Sequence, residues 1–535
     1  MKNKIFNIAV VIFGITTISC QKNNQDLPNI IVVYVDDLGY GDLSSYGATH
    51  IKTPNVDRLA EEGLLFTNAY ATASICTPSR YSFLTGKYHW RNTTTWSVGN
   101  IKDVSIAPGD AGLTIDTSQT TVAKELKQNG YATGVVGKWH LGLGPTGGPD
   151  WNGEIMLGPG DIGFDYIFIM PATADRVPCV FVENRQVVGL DPSDPIQVSY
   201  GDPIGDTSTI YNLEVETGTV VSYDSRTRRK NDVVSMHPSF GHDQTIINGI
   251  PRIGYMTGGK AALWQDDQIA ETLTQKALDY IDRNKENPFF LYFATHDLHV
   301  PRVPGETFVG KSRLGVYGDV LLQMDWTVGQ ILDKLDELKL TENTIIIFTS
   351  DNGPVMDDGY LDGSYENLGG HTPSGSLREG KYSAYEGGTR VPFIVRWPKN
   401  IKAGTSKALF SQVDLLATLA ALTGNTNADK LAMDSRNYSS VLLGETSKGR
   451  QHVVQQNMSS TLSLVKDGWK YIEPTDKPQF NVYTYPKTDM GNNTEPQLYN
   501  IDSDLREQEN LAETYPDKLK ELEMLLNQIK NQTAK

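Results

Sequence analysis

An α/β sandwich with a large, mostly parallel central sheet flanked by helices, plus a smaller C-terminal α+β subdomain, is the fold that the sequence predicts. Three observations carry that reading. Short β-branched apolar runs stop at aspartate and glycine, amphipathic stretches alternate with them, and beyond residue 424 the pattern changes to short alternating runs such as WKYIEP and PQLYNI. A length of 535 residues suits one large domain with a smaller one, and 39% apolar residues suffice for a sizeable core.

The first strand reads from NIIVVYVDDLG, residues 29–39, an apolar run that ends at two aspartates and a glycine, as a fully buried parallel strand does on entering a loop. TPNVDRLAEEG follows as a short helix, with Thr53 before it, Pro54 in its first turn, Val56 and Leu59 on one face and Gly63 as its stop. The alternation continues with a helix over 121–128, a strand over 132–136, a helix over 267–283, a strand over 289–294, a helix over 318–338 and a strand over 344–349. A strongly apolar helix is predicted over 410–424, and an amphipathic one over 517–529 ends the chain. Residues 149–259 are rich in Gly, Pro and Asp, which predicts an insertion of loops and small strands over one sheet edge that shapes a substrate pocket. The expected division is 28–424 for the large domain and 425–535 for the small one.

The start, MKNKIFNIAVVIFGITTISC, has Lys2 and Lys4, an apolar run over 5–18 and Cys20, an export signal too short to span a membrane as a mature helix. Thr17-Ile18-Ser19-Cys20 resembles a bacterial lipoprotein signal. That implies a signal peptide over 1–19, lipidation of Cys20, a tether over 20–27, and anchoring in the cell envelope on the periplasmic side or the outer-membrane surface. An ordinary cleaved secretion signal is the alternative. Of the remaining cysteines, Cys76 and Cys179 could form one disulfide in an oxidising compartment.

Lys plus Arg number 48 against 64 for Asp plus Glu, a formal charge of −16. No global positive field exists to hold nucleic acid or an anionic membrane, so an anionic ligand needs a local basic cluster. Asp36 and Asp37 end the first strand, where open α/β sheets present ligands, and two adjacent carboxylates with oxygen-only surroundings suit Ca²⁺ or Mg²⁺. A second acidic strand end, Asp351-Asn352-Gly353, offers more hard oxygen ligands. Either stretch alone reads more readily as a turn or loop, and it is the two strand ends together that point to a shared cation. In ICTPSRYSFLTG, Pro78 fits a first helical turn, so Cys76 lies near a helix N-terminus that favours anions, with Arg80 one turn on along the same face. A lone cysteine is also commonly inert and buried.

CTPSRYSFLTG nevertheless resembles the C-x-P-S-R core and downstream L-T-G of the formylglycine-dependent sulfatase family. The similarity runs through NIIVVYVDDLGYGDLSSYG, GVVGKWHLG, FFLYFATHDLHVP, SDNGP, LREGKYSAYEGGTRVP and LYNIDSDLREQENLA, nearly the whole mature chain. It implies an alkaline-phosphatase-like fold and conversion of Cys76 by a maturation enzyme into a formylglycine whose hydrate is the nucleophile. It also implies one calcium ion, with magnesium the lesser candidate, on Asp36, Asp37, Asp351, Asn352 and residue 76. Arg80, Lys138 and Lys381 would hold the sulfate, Asp351 would act as base at residue 76, and His140 would return the aldehyde. His299, selected over His296 by the H-x-P end of its motif, or Lys381 beside it, would protonate the departing sugar oxygen.

The implied activity is hydrolysis of carbohydrate O-sulfate esters. By weaker resemblance the substrate is 6-O-sulfated galactose or N-acetylgalactosamine in host or algal glycans. In the insertion, Asp175 and Arg176 are candidate sugar contacts, with His237 and His242 behind them. Two rivals stay open on sequence alone: a phosphodiesterase or phosphonate monoester hydrolase of the same superfamily, and a non-catalytic glycan-binding lipoprotein.

Overall fold

The computed structural model describes residues 27–92, 96–98, 101–205 and 235–532. The leader, Cys20, the tether up to residue 26 and the 206–234 part of the insertion lie outside the described residues.

A ten-stranded sheet forms the centre of the molecule. In chain order its strands are β1 (Asn29–Val35), β2 (Leu64–Phe66), β3 (Ala132–Lys138), β4 (Tyr166–Met170), β5 (Val182–Glu183), β6 (Gln186–Val187), β7 (Phe289–Ala294), β8 (Thr344–Ser350), β9 (Phe393–Arg396) and β10 (Gly404–Ser406). Their spatial order is β10-β2-β9-β8-β1-β7-β3-β4-β5-β6. The five central strands, β8 to β4, run parallel, whereas β9 and β5 pair antiparallel with them and make the edges mixed. NIIVVYV, FFLYFA and TIIIFTS are buried at every position, as parallel strands covered on both faces require.

Helices α1 (Pro54–Glu61), α4 (Ile269–Asn284) and α5 (Gly315–Glu337) pack together on one face. On the other face lie α2 (Cys76–Thr85), α3 (Val122–Gln128) and α6 (Leu415–Leu422). The pleat sets the two faces apart. Leu291 and Gly134 are register partners, and Gly134 faces Tyr280 of α4; the next β7 residue, Tyr292, packs its ring on Phe83 of α2 at 5.3 Å.

Two expectations change. The stretch 410–424 is helical only from Leu415, because Phe410 and Ser411 pair with Ala69 and Tyr70, and the Gln412 side chain is drawn inward. Gln412 accepts from the Tyr34 hydroxyl at 2.6 Å and donates to Ser350 O at 2.7 Å. The span 149–259, in turn, does more than lie over one edge: it supplies β4, β5 and β6 to the sheet itself.

After α6, residues near Ala428 pack back on Ala417 and Ala420 of that helix. A four-stranded antiparallel sheet then begins, with β11 (Val453–Gln456), β12 (Leu462–Lys466), β13 (Trp469–Ile472) and β14 (Gln497–Asn500) in that order. Helix α7 (Pro516–Lys530) lays Leu522, Leu526 and Ile529 against its Leu464, Tyr471 and Leu498. A buried ion cluster joins this sheet to the large domain. Lys470 of β13 lies 3.0 Å from Glu386 and 3.3 Å from Glu507, and the Tyr70 hydroxyl donates to Glu386 at 2.7 Å.

Candidate active site

The register of the parallel strands decides what meets at their C-terminal ends. Val35 of β1 pairs with Ser350 of β8, so the residues that follow, Asp36-Asp37 and Asp351-Asn352, emerge side by side. The Asp37 N–H donates to Asp351 Oδ1 at 3.3 Å, and Asn352 Nδ2 donates to Asp37 Oδ1 at 2.7 Å. On the other side of β1, the chain leaving β7 binds its backbone to the same loop. Asp36 N–H donates to Asp297 O and Leu298 N–H donates to Asp36 O, which sets His299 beside Asp37 with Nε2 3.9 Å from its Oδ2. Next in the sheet, β3 ends at Lys138 and leads into His140. Gly137 is required there, since its φ is +106° and a Cβ would stand 1.8 Å from Ala294 O of β7. Asp37, His140 and Tyr382 hold φ of 57°, 55° and 78°, so three residues of the site stand in left-handed backbone.

Helix α2 begins at Cys76 with its N-terminus at the strand ends. Cys76 Sγ lies 3.2 Å from His140 Nδ1. His140 Nε2 is 2.9 Å from Ala107 O, a group that only accepts, so the ring proton sits on Nε2 and the Nδ1 lone pair faces residue 76. Burial, then Lys138, holds the His140 imidazole well below its ordinary value. Burial likewise pushes the Cys76 thiol up, the opposite of what a thiolate nucleophile needs. Cys76 and Cys179 are both free and do not pair.

The cations are interleaved with the carboxylates. Arg80 donates from Nε to Asp351 Oδ2 at 2.9 Å, Lys138 Nζ lies 2.5 Å from Asp36 Oδ2, and Lys381 Nζ lies 2.8 Å from Asp37 Oδ2 and 3.0 Å from Asp358 Oδ2. Burial pushes Asp36 and Asp37 above the usual carboxylate range despite Lys138 and Lys381. For Asp351 burial acts the same way and is the largest single influence, but Arg80, then Lys138 and Lys381, together outweigh it and the carboxyl titrates low. Burial acts to lower Lys381, but Asp358, then Asp37, and other neighbours outweigh it, and the ammonium titrates well above the ordinary lysine value.

The donor set fits a hard cation. Asp36 Oδ1 and Asn352 Oδ1 are buried without a hydrogen-bond donor, and oxygens of Asp36 and Asp37 come within 4.8 Å of each other and of a His299 nitrogen. Sequence reasoning did not mark His299 as a neighbour of this cluster.

A cavity of about 500 Å³, within the range of small-ligand sites, lies beside this cluster, and His299 is the member of it on the cavity lining. Cys76, His299, Lys381, Asp175, Arg176 and His242 all line it. Arg80 and Lys138, both fully buried, stand behind the carboxylates, and His237 and His296 are not on its wall. Asp175 is spanned between Arg176 at 2.8 Å and His242 Nε2 at 2.9 Å. Burial would raise the Asp175 carboxyl, but Arg176, then His299, hold it well below the usual range. Asp358, whose carboxylate takes both Lys381 and the Tyr382 hydroxyl, and the C-terminal residues Met458, Asn481 and Tyr483 also line the cavity without having been foreseen. Asp357-Asp358 is the third aspartate doublet of the chain, after Asp36-Asp37 and Asp266-Asp267, so no local pattern singles out Asp358 or the others.

Such a site can hold an anionic group over residue 76, with fixed positive charge beneath it and two imidazoles to move protons. The sulfatase family profile matches residues 28–425. An N-acetylgalactosamine-6-O-sulfatase of Bacteroides thetaiotaomicron is 53% identical over 507 residues, 95% of this chain and 94% of its own. Human arylsulfatase A is 33% identical over 424 residues, 79% of this chain and 69% of its own. A solved structure from work on glycosaminoglycan metabolism by Bacteroides thetaiotaomicron aligns with a TM-score of 0.88 at 53% identity, covering 95% of this chain and 100% of that one.

Proposed function

The chain belongs to the sulfatase family and is a sulfuric ester hydrolase acting on sulfated carbohydrate, and on that premise we propose that it removes 6-O-sulfate from N-acetylgalactosamine or galactose units of host or algal glycans. The carrying observation is the meeting of Cys76, Asp175-Arg176, His299 and Lys381 around one cavity, although these four stretches lie far apart in the chain.

The family is typically dependent on a metal and on formylglycine, and we assign calcium to Asp36, Asp37, Asp351 and Asn352, beside residue 76. Bound there, the ion would supply Lewis-acid polarisation of a sulfate oxygen, and formylglycine made from Cys76 by a maturation enzyme would supply the oxygen nucleophile. The remaining work falls to the protein's own side chains. Lys381 lends fixed positive charge to the anion, with Arg80 and Lys138 holding the carboxylates beneath it. Asp351 is the base candidate at residue 76, and His140 Nδ1, already carrying a lone pair, takes a proton there later in the cycle.

His299 serves the leaving sugar oxygen. Its Nδ1 donates to Val300 O at 2.7 Å, which leaves Nε2 as the atom able to carry a proton to the substrate. Burial, then Lys381 and Lys138, depress this imidazole, and an anionic ester beside it counters those cations so that Nε2 can be charged. Asp175, Arg176 and His242 are assigned to sugar hydroxyls. From the leader alone we assign lipidation of Cys20 and an envelope location, on the periplasmic or outer-membrane surface.

Protein produced together with a maturation enzyme tests this reading. It should release sulfate from N-acetylgalactosamine-6-sulfate or galactose-6-sulfate and leave the corresponding 6-phosphates at background. Faster release of phosphate would replace the reading with the phosphoesterase rival.

A further inference from the structure

The reacting cavity has a wall that the chemistry above does not use. Ile106, Tyr382 and Met458 line it and belong to one hydrophobic cluster, against which Tyr483 packs. Asn481 stands on the same cavity surface and is only 2% exposed. It comes from a short ladder in which Phe480–Asn481 pairs with Thr488–Asp489, part of the polar C-terminal stretch rather than of the large sheet.

The Asn481 carboxamide has a fixed orientation. The Tyr483 N–H, which can only donate, reaches its oxygen at 3.0 Å, so Oδ1 is turned into the chain and Nδ2 is the end left over. Nδ2 donates to no described residue. On the cavity surface Nδ2 is therefore free to donate to a ligand that presents an acceptor there.

6-Sulfated galactose and 6-sulfated N-acetylgalactosamine differ only at C2, where a hydroxyl is replaced by an acetamido group. That group carries a strong carbonyl acceptor and a methyl. An uncommitted N–H donor next to an apolar surface complements both parts, and a hydroxyl satisfies neither as well.

We propose that Asn481 is a specificity-determining residue for the C2 substituent: Nδ2 donates to the acetamido carbonyl oxygen while the methyl rests on Ile106, Tyr382 and Met458. The inference rests on the sugar 6-O-sulfatase reading and goes beyond it by naming which sugar is preferred and which residue reads it.

The test compares kcat/KM on the two 6-sulfated sugars for the wild type, Asn481→Ser and Asn481→Ala. Serine keeps an acceptor for the Tyr483 N–H but is too short to offer the donor. Both variants should lose about 10-fold on the N-acetylated sugar, the equivalent of one hydrogen bond, and stay within about twofold on the galactose sulfate. The selectivity ratio is the readout, because a purely structural role would lower both substrates together. Equal losses on both sugars, an unchanged ratio, or a ratio shifted toward the N-acetylated sugar would each overturn the inference while leaving the sulfatase reading intact. A matured wild type that turns over neither sugar would instead overturn the reading on which it rests.

Discussion

Cys76 shows how a side chain can be placed for a chemistry that its native form does not perform. Its thiol is buried and titrates high, yet it sits at a helix N-terminus, against a histidine lone pair and beside lysine and carboxylates. Those surroundings suit an oxygen nucleophile that must lose and regain protons. His299 makes the complementary prediction at the other end of the scissile bond. His299→Ala should lower kcat/KM on a 6-sulfated sugar by ~10²–10⁴-fold, the usual worth of a general acid. On an aryl sulfate, whose phenol leaves without a proton, the loss should be far smaller; steady-state kinetics on both esters decides, and equal losses would remove the proton-donor role. Individual residues of this kind were legible in the sequence because each is embedded in a short motif that also shapes its turn. Asp358 and Asn481 were not, since each reaches the cavity only through contacts made across the fold, Asp358 to Lys381 and Asn481 through a two-residue ladder.

Among the elements, the parallel strands do the positioning. A register of Val35 on Ser350 is enough to bring four potential ligands together from residues over three hundred apart in sequence. These strands were legible because continuous β-branched runs have few other uses in a globular chain. Strand β4 was missed because its YIFIM run sits inside a Gly- and Pro-rich stretch, and the helix over 410–424 was overextended because apolar periodicity carries no sign that Gln412 is needed elsewhere. Helix α1 yields a prediction at this scale. Its first turn donates Asn55 N–H and Val56 N–H to Asp325 of α5 at 3.0 and 2.9 Å. Burial outweighs those bonds and raises the Asp325 carboxyl from 3.8 to about 6. Because the folded-state value is the higher one, the stability it contributes is complete below 3.8 and is lost as pH rises through 6. Asp325→Asn, with the Asn55 carboxamide free to flip and accept, should therefore gain on the wild type in melting temperature from about pH 4 to about pH 7. Parallel melting curves across that range would show that Asp325 does not titrate with folding.

For the whole molecule, a net charge of −16 coexists with a site for an anion because the cations are buried where the strands end, each bound to a carboxylate that also belongs to the site. The C-terminal sheet is more than an appendage, since Lys470 clamps it to Glu386, five residues from Lys381, and its neighbouring segments wall the cavity. The sequence showed that a smaller subdomain follows the large one, but not that it borders the cavity, because packing of its strands against Tyr70, Ala384 and Tyr385 leaves no periodic trace. The most direct measurement takes protein matured to different extents, reads the aldehyde fraction of the residue 76 peptide by mass spectrometry, and follows sulfate release from the same samples. Turnover should rise in proportion to the aldehyde and vanish in Cys76→Ala; full turnover by protein whose residue 76 is still a thiol would contradict it.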